Sequence, residues 1–190
     1  MRWALSVFIF LSACGYRWED AAPSSLSIPF VAGDEDGTLT AELIRSFASS
    51  TRADVLSSKG RYRLEVAISE QSNEIIGFRI DSQVNNGKQQ KNMVADEGRR
   101  SIFADVCLYD SETDEVVVGP CRVGANIDYD YVDGDSYQDL TFVDSAGRTQ
   151  TILAYSLGQL ESSESAREAG SKPLYRKLSR KIVDLISAYW

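Results

Sequence analysis

Arg61-Tyr62-Arg63-Leu64-Glu65-Val66-Ala67-Ile68 decides the fold. Tyr62, Leu64, Val66 and Ile68 alternate with Arg61, Arg63 and Glu65. That period of two sets one side of an extended chain against a core and the other in water. Toward the C-terminus, Ile75 to Ile80 is a second strand candidate and Asn85 to Asn92 a polar loop. Ser101 to Tyr109 and Glu115 to Val118 read as a hairpin across Ser111-Glu112-Thr113-Asp114, whose second arm runs past Gly119-Pro120 into Arg122 to Tyr131. The alternation of Leu153, Tyr155 and Leu157 extends the chain over 151–158.

Toward the N-terminus, Leu26 to Val31 reads as a short strand, with Pro29 placing it at an edge. A helix is expected from Thr38, capped by Thr38 or Asp36, with Glu42 in its first turn. Leu39, Leu43, Ile44 and Phe47 give it one apolar face. At the other end Leu174, Leu178, Ile182, Leu185 and Tyr189 form the stripe of a second helix, and Arg176, Lys177, Arg180 and Lys181 cover its other faces. Pro173 either begins this helix after Ser171 or kinks a longer one from near Ser162. Consecutive strands between two helices predict an α+β fold: two helices packed on one face of a mainly antiparallel four- to five-stranded sheet.

The first fourteen residues have a different character. Arg2 precedes an apolar run from Trp3 to Leu11, which closes on Leu11-Ser12-Ala13-Cys14. A charged start, an apolar centre and small residues at a cut are the layout of an export signal. The run is too short to span a bilayer as a helix, which takes about 20 residues. The closing four residues resemble the lipobox of bacterial lipoproteins. The resemblance implies a signal peptide over 1–13, lipidation of Cys14 and an acylated tether over 14–25; the remaining length, without repeat or linker, predicts a single α+β domain over 26–190. A single acyl chain holds a protein only reversibly, whereas several hold it firmly. Gly15 follows the cysteine where retention in the inner membrane would call for Asp, so the same resemblance implies the outer membrane.

Composition narrows the chemistry. The chain of 190 residues carries a net charge of −8, which argues against nucleic acid as a partner. It has no histidine, which excludes histidine-dependent triads and histidine-containing zinc sites. With Cys14 acylated, Cys107 and Cys121 remain as a pair in an oxidising compartment, so they form either a disulfide or two buried free thiols. A regular hairpin puts Cys107 opposite Val118, and a bulge at Gly119-Pro120 would have to bring Cys121 into place. Asp128, Asp130, Asp133 and Asp135 lack the register of a calcium loop, with Gly134 seventh and Asp139 twelfth from Asp128. They read as a solvated acidic face. Ser156-Leu157-Gly158 is no nucleophile elbow, and the glycines form no phosphate cradle. The expectation is a protein that is not an enzyme and uses no metal or cofactor.

Beyond the lipobox, Cys14-Gly15-Tyr16, Leu26-Ser27-Ile28-Pro29-Phe30-Val31, Gly37-Thr38-Leu39-Thr40 before the helix, and the closing Leu178-Ser179-Arg180-Lys181-Ile182-Val183 resemble the lipopolysaccharide-assembly lipoprotein family, LptE. The resemblance implies an α+β sandwich on the periplasmic side of the outer membrane or within the lumen of a large barrel, LptD. There the pair would move lipopolysaccharide to the outer leaflet. Arg176, Lys177, Arg180 and Lys181 are the candidates for lipopolysaccharide head-group contact. The alternative is another structural or barrel-assembly accessory lipoprotein of the outer membrane.

Overall fold

The computed structural model describes residues 25–50, 53–56, 58–85, 87–132, 141–151 and 162–189. Cys14 with its signal and tether, Asp133 and Asp135, and the alternating Leu153, Tyr155 and Leu157 lie outside the described residues. Along the chain run β1 (Ser25–Ser27), α1 (Thr38–Ser50), β2 (Asp54–Leu56), β3 (Tyr62–Asn85), β4 (Lys88–Asp110) and β5 (Val116–Asp130). They are followed by β6 (Thr141–Val143), β7 (Thr149–Thr151), α2 (Ser163–Ala169) and α3 (Ser171–Ser187). β6 and β7 pair separately, while the main sheet has the order β2-β1-β3-β4-β5.

The sheet is mixed, which corrects the expectation of a mainly antiparallel one. β3, β4 and β5 are antiparallel neighbours, but β1 lies parallel to both β2 and β3. The cause is α1. A chain that leaves β1 through a helix crosses over before it can pair again, so the next adjacent strand returns parallel. Past β1 the chain stays beside β3, where Ala32 N–H donates to Val66 O (3.0 Å) and Ile68 N–H donates to Ala32 O (2.9 Å).

The stretch that set the fold behaves as its alternation requires. Leu64 and Val66 are buried, with Tyr62 and Ile68 packed against the same core. On β4 every second residue from Ile102 to Leu108 is buried. Leu39, Leu43 and Phe47 of α1 and Leu174, Leu178, Ile182 and Ile186 of α3 close the cluster from one side, so both long helices cover one face. Leu185 is only partly buried, and Ile44 and Tyr189 are exposed, so both apolar stripes are narrower than their spacing suggests.

The start of α1 is held by a residue the sequence reading passed over. Asp34 is buried. Its carboxylate accepts from Leu39 N–H (3.2 Å), Thr40 N–H (2.7 Å) and the Thr40 hydroxyl (2.7 Å). These satisfy helix-end donors that would otherwise lack partners. Asp36 accepts from Thr38 N–H at 3.0 Å. At the other end Gly170 separates α2 from α3, and Pro173 sits in the first turn of α3, where its missing N–H costs nothing.

Candidate functional site

β3 and β4 are 24 and 23 residues long, on the order of 75–80 Å each at about 3.3 Å per residue. β5 stops pairing at Asp130 opposite Glu97. Beyond that point, in the main sheet, Phe78–Asn85 and Lys88–Ala95 form a two-stranded arm. Register shifts around Gly77 mark its root. A Cβ at Gly77 would lie 2.5 Å from the Glu97 Cβ, so no larger residue fits where the strands close up. Ile80 faces Met93 and Phe78 faces Ala95 on one side of the arm. There Phe78, Ile80 and Met93 are 55%, 68% and 69% exposed. The other side carries Val94 and Asp81, both buried, and Arg79 with Asp96 3.9 Å away. Three large apolar residues exposed on one face make the arm a candidate interaction surface.

The four basic residues of α3 come together on one open groove of about 530 Å³ beside β5, with Asn126 and Pro173. They do not do the same work. Lys177 Nζ donates to the backbone oxygen of Asn126 (3.0 Å) and to its side-chain oxygen (3.3 Å), and Lys181 Nζ donates to Gly124 O (2.6 Å). β5 is an edge strand, and two ammonium groups on its free carbonyls guard it against another strand. Arg176 Nε donates to Glu42 Oε1 at 3.2 Å across the helix pair. Arg180 makes no hydrogen bond or ion pair among the described residues.

Of the two alternatives for Cys107 and Cys121, the structure shows free thiols rather than the disulfide, both half-buried. The bulge at Gly119-Pro120 exists, but it places Cys121 opposite Val106, with Val118 opposite Leu108. Cys121 therefore packs against the core, while Cys107 lines an outward groove with Phe30, Glu65 and Tyr109. Thiols on opposite faces of a sheet cannot bridge without moving backbone. Hydrogen bonding with the Cys107 thiol pushes the Tyr109 phenol above its usual range.

Of the acidic segment, Asp128 is taken by a two-pronged pair, with Arg99 Nε on Oδ1 (2.6 Å) and Nη2 on Oδ2 (2.9 Å). The Arg99 guanidinium holds the Asp128 carboxyl below the usual carboxylate range and is itself raised by it. Among the described residues no three His, Cys, Asp or Glu side chains are placed to hold a metal, and no helix is long and apolar enough to cross a membrane.

No protein-family model and no curated protein matches the chain. Among solved structures it is similar to a protein of Caulobacter crescentus CB15, at 14% identity over 86% of this chain and 89% of the other, with a TM-score of 0.49. It is also similar to the uncharacterized lipoprotein B of Nitrosomonas europaea, at 13% identity over 88% and 87% with a TM-score of 0.48. A minor lipoprotein of Acinetobacter baumannii matches at 14% identity over 88% and 92% with a TM-score of 0.43. Identities and scores of this size describe a loose likeness of chain path, and the role of this chain rests on its own residues.

Proposed function

We propose that this chain is a non-catalytic, lipid-anchored protein of the bacterial outer membrane that serves as assembly partner and plug of a barrel of the LptD type in lipopolysaccharide transport. Leu11-Ser12-Ala13-Cys14 supports the anchor. The order of strand, helix, long strands and helix agrees with the family resemblance. The observation that carries the partnership is the arm, which puts Phe78, Ile80 and Met93 bare on one face beyond the helix-covered core. A two-stranded hairpin is marginal alone, and one that keeps apolar residues in water gains by covering them, at about 25 cal/mol per Å² of apolar surface removed from water.

The test is mild-detergent co-purification of the acylated protein from outer membranes, with bound proteins identified by mass. A stoichiometric large barrel is expected, and lipidation of Cys14 is read in the same spectra. Lipidated protein recovered with no barrel would overturn the partnership and leave another outer-membrane lipoprotein role.

A further inference from the structure

We infer that the seam between α1 and α3 binds a phosphate-class dianion. Glu42, Arg45, Ser46, Ser49, Arg176 and Arg180 line a cleft of about 290 Å³ there, room for a phosphate and part of what carries it. The buried Glu42 carboxylate is the organising group. Its Oε2 takes Arg45 Nη1 at 2.5 Å and its Oε1 takes Arg176 Nε at 3.2 Å. Each oxygen thereby fixes one guanidinium, and each guanidinium keeps further N–H donors for a ligand. Arg180, exposed and without a protein partner among the described residues, completes the set.

Three guanidinium groups against one carboxylate leave a local excess of two positive charges on a chain of net −8. A tetrahedral oxyanion suits it, because planar guanidinium forks engage phosphate oxygens in pairs; Ser46 and Ser49 also line the cleft, with the Ser49 hydroxyl donating to Ser46 O at 3.2 Å. Lys177 and Lys181 are not part of the site, because neither lines the cleft and both reach to β5 carbonyls. The site thus divides the basic face of α3: Arg176 and Arg180 serve the ligand, the two lysines serve the sheet edge. It does not depend on a barrel, so phosphate binding and barrel capture succeed or fail separately.

Isothermal titration of inorganic phosphate into the full acylated chain in detergent tests it. Saturable one-to-one binding is expected, weakened about tenfold by Arg180→Gln and again by Arg45→Gln, the scale of one lost charge-assisted donor. Lys177→Gln is expected to leave it unchanged. Arg180 is exposed and has no protein partner among the described residues, so Arg180→Gln leaves the packing intact; Arg45→Gln takes one partner from the buried Glu42, and a thermal melt of each variant separates lost binding from lost folding. A short-chain phosphatidic acid titrated in the same way separates the sources: tighter binding than phosphate points to a lipid head group, equal or weaker binding to the free ion. No saturable phosphate binding, or equal weakening by Lys177→Gln and Arg180→Gln, would overturn the proposal.

Discussion

The same two strands run through two environments. Between Tyr62 and Ile68, β3 and its β4 partners lie under helices and bury every second side chain. Between Phe78 and Asn85 they continue as a ladder with no third strand in the main sheet, and Phe78, Ile80 and Met93 of one face meet water. The β3–β4 ladder itself runs through both regions, so what separates them is the flanking strands and the helix layer above. The body stabilises itself by burial. The arm keeps Val94 and Asp81 buried on one side and offers its apolar row on the other.

Core truncation should separate the regions most sharply. Leu178→Ala removes a fully buried side chain from the helix–sheet cluster, and a loss of about 2–5 kcal/mol is expected from urea unfolding. Ile80→Ala on the arm should cost under about 0.5 kcal/mol in the same measurement, as at an exposed position. Equal losses would mean that the arm belongs to the core. Asp34→Ala comes next. It leaves two helix N–H groups and a buried threonine hydroxyl without their acceptor, for an expected loss of about 1–3 kcal/mol.

Acid should act on the body with a smaller effect. Backbone hydrogen bonding from Thr38 lowers the Asp36 carboxyl, as Arg99 lowers Asp128. A carboxylate depressed by folding contributes stability that is fully present above its unfolded value, near about pH 4, and is lost as pH falls through the folded value. Urea midpoints should therefore hold from pH 7 to about 5 and fall below 4. Asp128→Asn should flatten part of that fall. Smallest in stability but largest in partner binding is Met93→Asp. The unfolding midpoint should stay within error while barrel co-purification drops. Unchanged capture would move the partner surface off the arm.

Much of the body was legible because its elements carry clean periods: two at Tyr62 to Ile68, and three to four at Leu174, Leu178 and Ile182. The short β2 was missed, since three residues leave no period to read, and with it went the parallel pairing of β1. The arm was half missed. Gln89 to Asn92 is polar on both faces and reads as a loop, yet Asn85 pairs directly with Lys88 and Gly87 takes a φ of +73° in the reversal. Asn86-Gly87 is the short-range signal that would have found the turn. The basic residues of α3 were found, but not their division of labour. Glu42 and Arg45 lie more than a hundred positions away in the chain, and only the packing of α1 on α3 brings them to Arg176.

The most direct measurement is hydrogen exchange of the acylated protein alone and bound to its co-purified barrel. The account predicts that backbone amides of Phe78–Ala95 gain protection on binding while those of Leu64–Ile68 and Ile102–Leu108 stay as they are. Protection gained on α1 and α3, with the arm unchanged, would contradict it.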